Sequence, residues 1–170
     1  MAKKILAIVI MAANLMIFMA PSAAEAATCS AKNLRWASSN NRVYITGNGS
    51  CTLSDIKMFG SKYIPLEEVD SQNKIWHLGA NIFVEDGSSL SIHGDSAGGD
   101  VNELRMKSDG SGNISIRSKG GAIDISGTKI ISWDKSKNGP DADFSNGRAF
   151  ISAQSSVKDG KKIEARMDIK

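Results

Sequence analysis

The sequence predicts an all-β fold in which the chain winds into stacked coils. Three features point to it. Short segments alternate apolar with polar residues; clusters of Gly, Asn, Asp and Ser separate them; and the segments repeat at a near-constant interval. No stretch shows helical periodicity. The segments are Arg42 to Thr46, Ile75 to Leu78, Ile82 to Val84, Leu90 to Ile92, Leu104 to Met106, Ile114 to Ile116 and Ile123 to Ile125.

The repeat decides the architecture. Asn81 to Gly87, followed by Ser88 to Gly94, aligns with Asn113 to Lys119, followed by Gly120 to Gly127. Ile82 then meets Ile114, Val84 meets Ile116, Leu90 meets Ile123 and Ile92 meets Ile125, at an offset of 32 that becomes 33 after one inserted glycine. A looser third copy runs through Ala149 to Gln154, a polar insertion, and Arg166 to Lys170. A period in this range marks a solenoid or propeller. About three strands per period and no helix predict a parallel β-helix, with a β-sandwich holding two similar hairpins as the alternative. In such a coil the aliphatic side chains point inward over those of the winding below, and backbones ~4.8 Å apart share hydrogen bonds along the stack.

Three divisions follow: a leader over 1–26, a cap with a first irregular coil over 27–74, and the coils over 75–170. In the second, Val43 to Gly47 and Ser50 to Ile56 read as an incomplete coil. Lys57 to Asn73 reads as a cover for the apolar end, which would otherwise expose core and unpaired strand edge. The leader has Lys3 and Lys4, an apolar run from Ile5 to Ala20, Pro21, and small residues at Ala24 and Ala26 around Glu25. Those are the parts of a secretory signal peptide cleaved after Ala26, and the run is short for a bilayer span. The expected location is secreted, periplasmic or cell-surface, with no membrane span after cleavage.

Composition excludes several classes. With 170 residues, 21 Lys+Arg against 18 Asp+Glu and a formal charge of +3, the chain has no strong nucleic-acid footprint. Removing Lys3, Lys4 and Glu25 leaves 19 basic and 17 acidic residues, a net of +2. The only thiols, Cys29 and Cys51, read as a disulfide in an oxidising compartment, with acylation of Cys29 in a lipoprotein as the alternative.

From Ile75 onward the wording resembles secreted right-handed β-helix proteins related to mannuronan C5-epimerases, the enzymes that edit alginate. The resemblance lies in Trp76 to Val84, Glu103 to Ser108, Ser126 to Asp134, Asn138 to Asp141, Gly147 to Ile151 and Ala165 to Ile169. It implies a right-handed coil and a polyuronate-type ligand. The family's catalytic Asp-Pro-His-Asp motif, which lies in later coils, is absent. The chain therefore reads as the N-terminal portion of a longer protein, and no catalytic residue carries over.

Candidate sites follow from chemistry. Trp133, Arg148, Arg117 and Lys119 suit an acidic sugar chain, since aromatic faces stack on rings and Arg pairs with carboxylates; on a solenoid they would line one long groove. His93, whose repeat equivalent is Ser126, reads as part of an outward ladder. His77 reads as structural. Asp134 to Gly139 has oxygen donors at alternating positions, but the twelfth position is Ser145 rather than Glu, and Lys135 and Lys137 oppose a cation. Neither a metal nor another cofactor is expected. The expected partner is an acidic polysaccharide and not nucleic acid. The expected function is an exported, polysaccharide-directed β-helix segment without catalysis of its own, with a structural or adhesive solenoid as the alternative. The uncovered last strand, Arg166 to Ile169, is expected to fray or to pair between molecules.

Overall fold

The computed structural model describes residues 27–143, 145 and 147–170. The expected leader over residues 1–26 lies outside them. The described chain is mostly strand, with three larger sheets visited in turn. Sheet A holds Ala27–Thr28, Gly49–Thr52, Ser89–His93, Ala122–Ser126 and Arg166–Ile169. Sheet B holds Leu34–Ala37, Arg42–Ile45, Asn81–Val84, Ser115–Lys119 and Phe150–Gln154. Sheet C holds Leu66–Asp70, Ile75–Leu78, Glu103–Asp109, Lys129–Asp134 and the short Gly139–Pro140, with Gly112–Asn113 folded back on Glu103–Asp109. From Ile75 the chain passes C, B, A three times, and strands one winding apart pair in parallel.

Alternation of period two sets which side chains go inward. Arg42–Ile45, Ile75–Leu78 and Asn81–Val84 each alternate half-exposed with buried residues. The inward residues stack along the axis. In sheet A, Cys51, Leu90, Ile123 and Met167 are successive partners, as are Ile92, Ile125 and Ile169. In sheet B, Val43, Ile82, Ile116 and Ile151 follow one another. In sheet C, Trp76, Leu104 and Ile130 do so. Apart from Met167 and Ile169 in the last strand, these residues share one core with buried residues before Ile75 such as Cys29, Leu53 and Ile56.

The pairing in sheet B corrects the expected register. Ile82 lies beside Ile116 rather than Ile114, and Val84 beside Ser118 rather than Ile116. The offset there is 34, whereas sheet A keeps 33, from Leu90 to Ile123. A shift of two residues leaves every side chain on the same face, so alternation alone does not distinguish the two registers. The polar insertion of the third winding is a hairpin, Ser156–Lys158 with Lys161–Ile163. Its turn is Asp159-Gly160, both at positive φ (51° and 72°), as a tight two-residue hairpin requires.

The first 48 described residues (27–74) contain an element that periodicity did not reveal, the helix Leu53–Phe59. Seven residues give barely two turns, too few to show a repeat, so the segment from Ser50 to Ile56 is a strand followed by a helix rather than a strand throughout. Its start is chemically legible: the Thr52 hydroxyl accepts from Asp55 N at 3.1 Å, and the Asp55 carboxylate accepts from Thr52 N at 2.8 Å. Leu53 and Ile56 are buried in the core. The Cys29–Cys51 disulfide, with Cα atoms 4.8 Å apart, ties the start of the described chain to the same region. Leu34–Ala37 and Leu66–Asp70 run antiparallel to their neighbours, unlike the windings that follow.

At the other end, Arg166–Ile169 pairs with Ala122–Ser126 on one side and, among the described residues, with no strand on the other. Met167 is 40% and Ile169 65% exposed, although both continue fully buried rows.

Two outcomes are expected. Ile125→Ala, which empties a site between two rungs, lowers stability by about 2–5 kcal/mol in chemical denaturation. Hydrogen exchange at Arg166–Ile169 is faster than at Ala122–Ser126, because only the latter is bonded on both sides; equal protection in a monomer contradicts this.

Candidate functional site

The outer face of sheet C carries a cleft of about 440 Å³. Its lining follows from register. Glu67 pairs with His77 and His77 with Arg105, so these three side chains form one outward row; Lys107 and Trp133 form the next. Lys135 joins from the turn after Lys129–Asp134, and Leu78 and Gly79 also reach the cleft.

Trp133 is only 8% exposed. The Arg105 guanidinium lies 4.0 Å from its ring centre, and the His77 ring lies 5.8 Å away at 43°. Trp133 therefore forms the floor of the cleft rather than a free stacking platform. Arg105 is held in place by Glu103, which accepts from its Nε at 2.6 Å. Lys107 and Lys135 are held less firmly: their carboxylate contacts, to Asp109 at 3.9 Å and Glu67 at 3.8 Å, exceed hydrogen-bond length. Burial, together with the nearby Arg105 and Lys135 charges, lowers the His77 pKa below its ordinary 6.5, so His77 is neutral at pH 7. Its Nε2 and the Trp133 Nε1 are buried without a hydrogen-bond partner among the described residues.

The four residues expected to line one groove are divided between sheets. Trp133 lies on sheet C. Arg117 and Lys119 project outward from sheet B, two residues apart on one strand. Arg117 stands 4.7 Å from the Phe150 ring centre, while Lys119 borders a different, more polar depression with Glu85, Asp86 and Lys158. Arg148 fastens the loop before Phe150–Gln154: its side chain donates to the Asp141 carbonyl, and its own carbonyl accepts from Asn113 Nδ2 at 2.5 Å. The expectation failed because it supplied residue types and alternation, but not which sheet each segment joins.

His77, Arg105, Lys107 and Lys135 were not expected at a ligand site. Alternation already puts Arg105 and Lys107 on one face, but it does not bring His77 beside Arg105. Their offset is 28, outside the interval of 32–33 found by inspection. His93 does pair with Ser126 on the outer side of sheet A, and its Nε2 lies 3.1 Å from the Asp124 carboxylate.

The loop from Asp134 is internally satisfied. Asp134 Oδ1 accepts from the Ser136 amide at 2.9 Å and its hydroxyl at 2.6 Å, and Oδ2 lies 3.1 Å from Lys137 Nζ. These contacts, the Ser136 hydroxyl foremost and then Lys137, lower its pKa to about 2. Among the described residues no group of three or more His, Cys, Asp or Glu is placed to hold a metal ion.

The fold and cleft together describe an all-β protein with parallel strands stacked along one axis and a ligand-sized depression on one outer face. No protein-family model and no curated protein matches the chain. Two solved structures are similar to it. A point mutant of the periplasmic alginate epimerase AlgG matches with a TM-score of 0.53 and 23% identity, over 66% of this chain and 24% of that one. AlgG itself matches with a TM-score of 0.51 and 22% identity, over the same shares. At this identity the likeness shows the fold, and the chain spans about a quarter of the length of AlgG.

A pH test follows from Asp134. Its pKa is depressed from 3.8 to about 2, so its contribution to stability is complete above pH 3.8 and declines as pH falls through 2. Asp134→Asn lacks that contribution. The stability difference between wild type and variant, measured by denaturation from pH 5 to pH 2, is expected to shrink as the acid side is reached.

Proposed function

We propose that this chain is a right-handed parallel β-helix of an exported, polysaccharide-directed protein, and that the sheet C cleft binds an acidic sugar of the polyuronate class. Handedness is supported by the strong preference of parallel crossover connections for the right-handed path. Export is supported by the leader-like first 26 residues and the disulfide, and it agrees with the periplasmic origin of AlgG. Residues 27–74 close the first end of the stack, and residues 75–170 supply the coils.

The observation that carries the ligand class is the set of three cations, Arg105, Lys107 and Lys135, against two carboxylates, Glu67 and Asp109, around a cleft floored by Trp133. A uronate presents a carboxylate on a ring with both apolar and hydroxyl edges. The carboxylate fits between Lys107 and Lys135, whose existing contacts are long enough to exchange for a charge-assisted hydrogen bond. Arg105 stays on Trp133 and adds positive potential. Neutral His77 lines the cleft beside Arg105 without adding a charge. This arrangement provides binding; C5 inversion would also require a base and an acid on opposite ring faces.

Calorimetry with short oligomannuronates and oligogalacturonates, against neutral glucan oligomers, tests the reading. The acidic oligomers are expected to bind and the neutral ones not. Lys107→Ala and Lys135→Ala are each expected to weaken binding about tenfold, equivalent to about 1.4 kcal/mol, with the thermal transition unchanged. Absence of binding to either acidic oligomer leaves the structural-solenoid reading. C5 inversion or an unsaturated product, followed by NMR, overturns the assignment of binding alone.

A further inference from the structure

We propose that the outer face of sheet B is a second, extended surface that holds an acidic polysaccharide chain along the coil axis. It shares with the proposed function only the acidic character of the polymer, and it uses a different sheet from the cleft.

Register builds this surface. Arg35, Tyr44, Phe83 and Arg117 are partners on four successive strands and form one outward row. Arg42 and Phe150 belong to the adjoining row, which also passes through Asn81 and Ser115. The five strands of the sheet, ~4.8 Å apart, carry these rows over about 19 Å. Each guanidinium lies over a ring: Arg35 3.7 Å from the Tyr44 centre, Arg42 5.4 Å from Phe83, and Arg117 4.7 Å from Phe150. Tyr44 and Phe83 are themselves 5.7 Å apart. A ring beside each guanidinium restrains its position and leaves N–H donors for ligands.

Charge identifies the occupant. Among the described residues, neither Arg42 nor Arg117 has a carboxylate within ion-pair distance, and Arg35 has only Glu85 at 3.9 Å, with both side chains largely in solvent. Arg42 donates to the Tyr44 hydroxyl at 3.3 Å and Arg117 to the Ser115 hydroxyl at 3.1 Å, which leaves most of their five donors unused. Three preset guanidinium forks spaced along one axis complement a chain that repeats a carboxylate on each ring. They suit single-stranded nucleic acid less well, because the ring faces on which bases would stack already carry guanidinium groups.

The test compares long polymannuronate with short oligomannuronate on the full chain. For wild type, long-chain affinity is expected to exceed short-chain affinity and to fall steeply with salt. Arg42→Gln/Arg117→Gln is expected to lower long-chain affinity about tenfold and to flatten the salt dependence by roughly one to two charges, while oligomer binding is unchanged. Arg42→Lys/Arg117→Lys, which keeps the charge and loses the fork, is expected to restore the salt slope but not the full affinity. Circular dichroism and thermal melting check that the variants are folded, and the wild-type salt titration needs no variant. Long-chain binding unaffected by the Gln variant, equal binding of a neutral chain, or tighter binding of single-stranded nucleic acid each overturns the proposal. If long chains bind through these arginines while Lys107→Ala and Lys135→Ala change nothing, the cleft assignment fails and this surface stands. If oligomers bind the cleft and the Gln variant matches wild type, the reverse holds.

Discussion

Everything else in this protein depends on one constraint: an inward side chain must sit beside its counterpart one winding away while the two backbones remain hydrogen-bonded. Leu90 on Ile123 and Ile92 on Ile125 meet it in sheet A, and Ile82 on Ile116 meets it in sheet B. Both conditions favour short strands of aliphatic and β-branched residues, because each must present a flat, alternating surface to the rung above and below. The rungs also share their hydrogen bonds, so a fault in one is felt by its neighbours, whereas a distant part of the stack is not directly touched.

The same constraint organises the outside. Alternation places every second residue outward, and the register that aligns the core therefore aligns the surface as well. Glu67, His77 and Arg105 fall into one row on sheet C, and Arg35, Tyr44, Phe83 and Arg117 into another on sheet B. Rows of this kind give a repeating polymer a matching repeat, and they require no residue to be close in sequence. The two faces differ in character. On sheet C, Trp133 lies under Arg105 as the floor of a cleft with Lys107 and Lys135 at its sides. On sheet B, the guanidinium groups lie over the rings, and the surface stays extended.

The two ends of the described stack differ. At the first, antiparallel strands, the helix Leu53–Phe59 and the Cys29–Cys51 bridge adjoin the core, and Leu53 and Ile56 are fully buried. The bridge spans 22 residues, and on the chain-entropy model a loop of that size contributes about 3 kcal/mol. At the other end the described rows finish on Met167 and Ile169, both partly exposed.

Sequence by itself determined the central strands of the windings, their alternating faces, and the pairing of Leu90 with Ile123 and Ile92 with Ile125, because these depend on residue type and on a period of two. Ile75–Leu78 was legible to its ends, and Leu90 and Ile92 were legible with their partners. The register of sheet B and the composition of each outer face were decided only in three dimensions. Winding length varies from sheet to sheet: the offset is 33 from Leu90 to Ile123, 34 from Ile82 to Ile116, 28 from Trp76 to Leu104 and 26 from Leu104 to Ile130. Turns absorb these differences without disturbing alternation, so a linear repeat does not show them. Arg105 thus comes to lie over Trp133 on one sheet while Arg117 faces solvent on another. Packing between windings fixes which residues become neighbours, and it is packing, rather than residue type, that assembles the cleft.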